Sequence, residues 1–260
     1  MNRNYKEIYD ESLKNPEEFW QKISEDVFWF NKPTKILKKD NPPFYKWFED
    51  GVTNTCYNAL DLHIDQGRGD KTALIYDSPI TGNKAKFTFK ELKEKVSKFA
   101  GALDKQGVKK GDRVIIYMPM IPEAVVAMLA CGRIGAIHSV VFGGFASNEL
   151  ASRIDDSKAK ILITASCGFE PGRTVEYRPL VDGALKLAKH QVEKVILFQR
   201  KGHEVKLNKP LEISWDEALS GADDKDCVEM GANDYAYILY TSGTTGIPKG
   251  IVRDIGGHIV

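Results

Sequence analysis

Near the end of the chain, Tyr240-Thr241-Ser242-Gly243-Thr244-Thr245-Gly246-Ile247-Pro248-Lys249 packs hydroxyls, glycines and one lysine into a single turn. Those residue types suit a phosphate. Glycines let backbone N–H groups approach an anion closely, hydroxyls add donors, and a lysine brings a mobile positive charge. The run Tyr235 to Tyr240 just before it reads as a buried strand, which would place the loop at the carboxyl edge of a sheet. The candidate anion ligands are Thr241, Ser242, Gly243, Thr244, Thr245 and Gly246, with Lys249 as the charge. A Ser/Thr/Gly stretch also serves as a plain hairpin or linker, and Lys249 alone also reads as a solvated surface lysine. The G-x-x-x-x-G-K-[ST] pattern is absent, because Gly246 is followed by Ile247-Pro248-Lys249 and Lys249 by Gly250. NTPases and kinases of that type are thereby disfavoured.

A second turn, Glu170-Pro171-Gly172-Arg173, uses proline and glycine to present an arginine. His138 lies in an apolar strand context and reads as a satisfied core histidine. Gly143 and Gly144, between Phe142 and Phe145, read as glycines that permit close backbone packing. Arg253 and Asp254 read as a local surface ion pair. Cys56, Cys131, Cys167 and Cys227 are scattered along the chain with no close pair, which argues against a zinc site and a disulfide framework and for a reducing compartment.

The elements that must hold these turns emerge from residue 71 onward. Thr88 and Glu91 form a capping box, after which Leu92, Val96, Phe99, Ala100 and Leu103 recur at helical spacing up to Gly107. Arg113 to Met118 is a strand stopped by Pro119, and Pro122 opens a helix toward Gly132. His138–Phe142, Lys160–Ala165 and Val195–Phe198 read as strands, Ser147 to Asp156 and the Leu180/Ala184/Leu187 stretch as helices, and Ser214 with Glu217 caps a short helix. Strands separated by helices need crossover connections, so the fold class is α/β: a doubly wound, mostly parallel sheet with flanking helices. Ahead of it, Phe19, Trp20, Phe28, Trp29, Phe30, Phe44, Tyr45, Trp47 and Phe48 mark an irregular cap whose aromatics anchor it to the body.

Composition narrows the class. With 260 residues and 42% hydrophobic content the chain can bury a large core. Its 37 Lys and Arg against 36 Asp and Glu leave a net charge of +1, so no bulk field draws it to nucleic acid or an anionic membrane. No run approaches the about eighteen apolar residues of a membrane span. Met1 to Asp10 mixes basic and acidic residues and has no apolar core, so no targeting peptide is visible.

Two segments carry a family resemblance: Tyr240 to Gly250 resembles the phosphate-binding signature of adenylate-forming enzymes. Ile134-Gly135-Ala136-Ile137-His138-Ser139-Val140-Val141-Phe142-Gly143-Gly144-Phe145 resembles a segment of acetyl-CoA and propionyl-CoA synthetases. Val252 to Gly257 and Glu170 to Tyr177 resemble the propionate-preferring branch. The resemblance covers the chain from about Tyr5 to Val260 and implies the N-terminal part of such an enzyme: an N-terminal cap over 5–64 and an AMP-binding domain over 65–260, incomplete at its C-terminal side.

The implied reaction joins a short-chain carboxylate, propionate or acetate, to coenzyme A at the expense of ATP, through an acyl-adenylate and with release of AMP and diphosphate. In it Thr241 to Gly246 cradle the β- and γ-phosphates and Lys249 is catalytic, neutralising the departing pyrophosphate. Glu170, Pro171, Gly172 and Arg173 take the nucleotide end of coenzyme A, with Arg173 on its 3′-phosphate. Many relatives carry arginine at the first of these four positions, so with Glu170 one phosphate contact is expected to be missing or replaced by a contact to the adenine.

A Mg2+ ion is implied, but none of its ligands is assigned to this chain, and the acyl pocket, hinge and small C-terminal domain have no counterpart here. The 260 residues alone are therefore expected to lack turnover. The other reading is a non-catalytic nucleotide- or CoA-binding fragment or interaction module. The resemblance also allows a homo-oligomer, and it points to the mitochondrial matrix or else the cytoplasm.

Overall fold

Val114–Met118 and Ile161–Ala165 are buried from end to end, so each strand needs cover on both faces, and helices supply it. The computed structural model describes residues 4–241 and 248–260. After two N-terminal helices, α1 (Tyr5–Lys14) and α2 (Pro16–Ile23), comes an antiparallel hairpin of β1 (Thr72–Asp77) and β2 (Lys84–Thr88). The chain continues through α3 (Phe89–Lys105), β3 (Arg113–Met118), α4 (Pro122–Arg133), β4 (Ile137–Phe142), α5 (Ser147–Ser157) and β5 (Ile161–Ala165). A hairpin of β6 (Cys167–Glu170) and β7 (Arg173–Glu176) precedes α6 (Arg178–Leu187), β8 (Lys194–Phe198), β9 (Glu212–Ser214) and α7 (Trp215–Leu219). The chain ends with β10 (Tyr235–Thr241), β11 (Lys249–Asp254) and α8 (Ile255–Ile259).

Among the described residues β9-β8-β5-β3-β4-β10-β11 form one seven-stranded sheet, parallel throughout except for β11, which runs antiparallel to β10. From β3 the chain steps one way to β4, then crosses back over β3 to β5 and continues to β8. Right-handed crossovers put the helices of these two directions on opposite faces. The contacts agree, since α3 packs on α4 and α5 on α6. The reversal beside β3 is a topological switch point, where an open α/β sheet leaves a crevice outside the carboxyl ends of its strands.

The local signals that start the helices are present in atomic detail. The Thr88 hydroxyl accepts from the Glu91 N–H, the Glu91 carboxylate accepts from the Thr88 N–H, and Ser214 and Glu217 repeat the arrangement. Leu92, Val96, Phe99, Ala100 and Leu103 all point into the core, and Phe99 stacks on Trp215 with ring centroids 3.7 Å apart. Leu92, Val96, Phe99 and Leu103 each contribute about 1.5–3 kcal/mol by their burial. A Cβ at Gly101 would stand 1.6 Å from the Asp223 carbonyl oxygen, so only glycine lets α3 lie against that segment.

The N-terminal cap is anchored by fewer aromatics than expected. Trp29, Phe48 and Ile36 are buried with Ala232, Phe19 is buried on α2, and the Trp29 indole donates to the Ser24 carbonyl at 2.9 Å. Phe44 and Tyr45, by contrast, are 74% and 53% exposed. They follow the Asn41-Pro42-Pro43 turn, which carries them away from the body. Asn54 pins the cap to it, donating to the carbonyls of Gly132 at 2.9 Å and Val228 at 2.8 Å.

Two strand readings need correction. Tyr235–Tyr240 is not buried throughout: Ala236 and Ile238 face inward while Tyr235 and Leu239 are 57% and 48% exposed. Only β11 separates β10 from the sheet edge, so one face carries the burial. In addition, Lys249–Asp254 forms β11, a strand its mixed sequence did not signal; Arg253 and Asp254 make no ion pair with each other among the described residues.

Candidate active site at the carboxyl edge

The described residues of both candidate anion-binding motifs fall at the carboxyl side of the parallel strands. Thr241 ends β10 and Lys249 opens β11 directly across from it, so the two ends of the loop are paired. Ser242, Gly243, Thr244, Thr245 and Gly246 lie outside the described residues. The Lys249 side chain belongs to an exposed residue.

Immediately before the loop, the Tyr240 hydroxyl donates to Asp156 Oδ2 at 2.6 Å, and burial together with that bond raises its pKa. The Arg153 guanidinium sits 5.1 Å from the Tyr240 ring centroid and 5.1 Å from that of Phe145. It is held there by Glu149, one helical turn back, at 2.8 Å. A desolvated cation between two ring faces contributes about 1–2 kcal/mol per face, so Arg153 fastens the loop entrance to the Phe142-Gly143-Gly144-Phe145 bend.

That bend is the next part of the site. Gly144 has φ +111°, outside the range of most side chains, and its N–H donates to the Tyr117 hydroxyl at 3.2 Å, which in turn donates to the Phe145 carbonyl at 2.8 Å. A Cβ at Gly143 would meet the Tyr177 hydroxyl oxygen at 2.1 Å and the Met118 carbonyl at 2.9 Å, as close packing there requires. The Tyr117 and Tyr177 rings pack at a 36° tilt with centroids 4.9 Å apart, and burial raises both phenols. Sequence reasoning gave neither tyrosine a role: the hydrogen-bond partners of Tyr117 lie 27 and 28 residues further on, and Tyr177, although it ends the Glu170–Tyr177 segment, meets Gly143 only through the fold.

Across the bend stands the turn of the β6–β7 hairpin, since a Cβ on Gly144 would lie 3.6 Å from Glu170 Oε1. Gly172 takes φ +75° to close the turn. Arg173 donates Nε–H to Glu170 Oε2 at 2.8 Å, with Nη2 at 2.6 Å from the same oxygen. Arg173 is 71% exposed, so this pair is worth at most about 1 kcal/mol and an anion can displace it. Arg200 lies 4.6 Å over the Phe169 ring and His203 meets the ring edge, which adds basic groups to the same hairpin. The loop ends, the Gly-Gly bend and the Glu170–Arg173 turn thus form one contiguous rim.

His138 has a different place. It faces an apolar cleft of about 850 Å³ between α4, β1 and the β4–β10 face, lined by Met118, Ile121, Val125, Val140 and Leu239 among others. Its Nδ1 is sealed from solvent and has no hydrogen-bond partner among the described residues, so these residues do not form the satisfied core histidine. Burial pushes its pKa from 6.5 down to about 4, with His258 adding to the effect. Between those values the unfolded chain binds a proton that the folded one refuses. Stability present above pH 6.5 is therefore lost as pH falls toward 4, by at most about 3 kcal/mol. Chemical denaturation should show this acid slope and its flattening in His138→Phe; parallel curves for the two proteins would rule the histidine out as its source.

The thiols also depart from the sequence reading. Cys56 and Cys227, far apart in the chain, meet beside Asp61 and the buried Arg133. Among the described residues no helix is long and apolar enough to cross a membrane.

Comparison with known proteins agrees with this geometry. Residues 63–259 match the AMP-binding enzyme family, and residues 5–59 match the acetyl-coenzyme A synthetase N-terminus. Human acyl-CoA synthetase short-chain family member 3, mitochondrial, is 53% identical over 98% of this chain and 38% of that protein. The acetyl-coenzyme A synthetase of Streptomyces avermitilis is 44% identical over 97% of this chain and 39% of its own length. Acetoacetyl-CoA synthetase from Streptomyces lividans superposes with a TM-score of 0.87 at 27% identity, covering 98% of this chain and 39% of that one. The chain thus spans about two-fifths of the relatives it matches. A parallel sheet with a phosphate-type loop and a basic turn on its carboxyl rim, matched over residues 63–259 by one family, places this chain in the AMP-binding enzyme family, with the acyl-CoA synthetases as its relatives.

Proposed function

We propose that this chain provides the ATP-phosphate and coenzyme A nucleotide subsites of an AMP-forming ligase that joins a short-chain carboxylate, propionate or acetate, to coenzyme A. The observation that carries the reading is the continuous rim from Tyr240 through Arg153 and the Gly-Gly bend to Glu170 and Arg173. ATP bound at one end and coenzyme A at the other would meet over the bend between them.

Thr241 to Gly246 and Lys249 would take the β- and γ-phosphates, and Lys249 would neutralise charge as pyrophosphate leaves. Arg173 would exchange Glu170 for the coenzyme A 3′-phosphate, which frees Glu170 to accept from the adenine amino group. The chemistry needs no protein nucleophile, because the substrate carboxylate and the cofactor thiol are the nucleophiles; the rim's task is positioning and charge. Mg2+, when bound, would offset phosphate charge, and no residue of this chain is assigned to it.

In this reading 5–64 is the cap and 65–260 the AMP-binding unit, and the 260 residues alone bind without turning over. The name of the human relative favours a mitochondrial compartment, for which we take the matrix, and the Glu170–Tyr177 and Val252–Gly257 segments favour the propionate-preferring branch.

The experiment is Arg173→Ala in a chain extended to the relatives' length. Propionate-dependent exchange of pyrophosphate into ATP should stay nearly unchanged. The KM for coenzyme A should rise about tenfold, because an exposed charge-assisted contact is worth about 1.5 kcal/mol. Dephospho-coenzyme A, which lacks the 3′-phosphate, should be used equally well by parent and variant. Equal weakening toward both forms of the cofactor would make the turn structural and overturn the subsite.

A further inference from the structure

Away from the rim, the Sγ of Cys56, the Sγ of Cys227 and a carboxylate oxygen of Asp61 all lie within 4.8 Å of one another. Two thiols and a carboxylate are a metal-type donor set, but Arg133 already occupies the cluster. Its Nη1 donates to Asp61 Oδ2 at 2.7 Å, to Cys227 Sγ at 3.1 Å and to Cys56 Sγ at 3.6 Å, and its Nη2 donates to Asp61 Oδ1 at 3.0 Å. Both carboxylate oxygens are thereby engaged by a fixed cation that is itself fully buried. A divalent ion would have to displace that cation and leave it unpaired in the interior, at a cost of several kcal/mol. The cation is paired with Asp61 and also faces both sulfurs, while the Cys227 thiol donates to Asp61 Oδ2 at 3.7 Å.

The backbone keeps the thiols together independently of their chemistry. Asn54 Nδ2 donates to the Val228 carbonyl at 2.8 Å, Asn54 Oδ1 accepts from the Cys56 N–H at 2.8 Å, and the Val228 N–H donates to the Arg133 carbonyl at 2.9 Å. Residues adjacent to each cysteine are thus pinned across the same contact. Cys56 is fully buried, whereas Cys227 is partly exposed and opens the pair to small reagents. The pair shares its protons unequally: the hydrogen bond from Cys227 lowers the Cys56 thiol, with Arg133 assisting against burial, and raises that of Cys227.

We propose that Cys56 and Cys227 form a reversible disulfide modification site, oxidised by hydrogen peroxide or a similar small two-electron oxidant. The sulfur that holds the pair's thiolate attacks one peroxide oxygen, the O–O bond breaks, and the departing hydroxide takes up a proton and leaves as water. The sulfenic acid so formed is attacked by the second sulfur: an S–S bond forms, the S–O bond breaks, and a second water leaves with the second thiol proton. Two thiols are oxidised by two electrons in total and one peroxide is reduced to two waters. The link joins the start of the helical stretch at 55–68 to the segment that runs through Met230–Gly231 into β10 and the phosphate loop. It therefore ties the N-terminal cap to the strand that carries the rim.

Cys131 and Cys167 serve as internal controls, since both are buried with thiols raised by burial, Cys131 to about 12. The test exposes the folded 260-residue protein to graded hydrogen peroxide, alkylates remaining thiols with iodoacetamide, and maps peptides by mass spectrometry without reductant. The expected result is a peptide pair joined through Cys56 and Cys227, appearing at doses that leave Cys131 and Cys167 reduced and disappearing with dithiothreitol. In Cys227→Ser no linked pair should form, and dimedone should label Cys56. Over-oxidation of Cys227 with Cys56 recovered reduced would overturn the proposal, as would linkage that includes Cys131 or Cys167 at the same dose. In a parallel arm, protection of both thiols from alkylation by Zn2+ alone would overturn it in favour of a metal site.

Discussion

Lys249→Ala, in a chain extended to its relatives' length, should slow propionate-dependent exchange of pyrophosphate into ATP by about 10²- to 10³-fold, the usual loss when one preorganised charge is removed from a developing anion. Lys249 begins β11 opposite Thr241, so backbone pairing holds its Cα at the mouth of the loop while the side chain stays free to reach into it. In the proposed reaction a charge there would matter more as pyrophosphate departs than in the bound state. The deficit should accordingly appear in the maximal rate more than in the KM for ATP. Lys249→Arg, which keeps the charge but changes its shape, should recover part of the loss. An alanine variant within threefold of the parent would remove Lys249 from the mechanism and leave it a surface lysine.

Arg133→Met should destabilise the folded chain by about 3–5 kcal/mol, seen as a lower denaturant midpoint at unchanged slope. The arginine is fully buried, and its bidentate pair with Asp61 is supplemented by a bond to the Lys225 carbonyl, which ties α4 to the segment before β10. Removing the cation leaves Asp61 charged and 12% exposed, with the longer 3.8 Å contact to Lys93 in place of a bidentate pair. Most of the loss is the cost of that under-compensated carboxylate. Arg133→Met combined with Asp61→Leu should therefore recover a large part of it, and a double variant no more stable than the single one would show that the loss comes from packing instead. The expected loss is comparable to half the total stability of an ordinary domain.

Adjacency along the chain explains what the sequence alone determined. The capping boxes at Thr88/Glu91 and Ser214/Glu217 join residues three apart, Pro122 opens α4 by its own ring geometry, and the apolar period of α3 repeats every turn. Each is a local steric or hydrogen-bond preference, and strands alternating with such helices leave little besides a parallel, doubly wound sheet. The positions of the Pro-Gly turn and of the Thr241 and Lys249 flanks of the Gly-rich loop followed, because turns that break regular structure also depend on their own residues.

Tertiary structure decided the rest. β11 is a strand because it pairs with β10, although nothing in Lys249–Asp254 itself demands extension. Arg153 joins the loop entrance to the Gly-Gly bend only once α5 packs beneath both Tyr240 and Phe145. Glu170 meets the bend because the switch point places the exits of β4 and β5 on either side of β3. His138 Nδ1 is left without a hydrogen-bond partner among the described residues because its strand turns it toward an apolar cleft. Cys56 and Cys227 look isolated along the chain, yet they lie together around Arg133 because α4, the cap and the approach to β10 converge there. Contacts of this kind join residues tens to more than a hundred positions apart, and no local pattern encodes them; packing of the completed elements does.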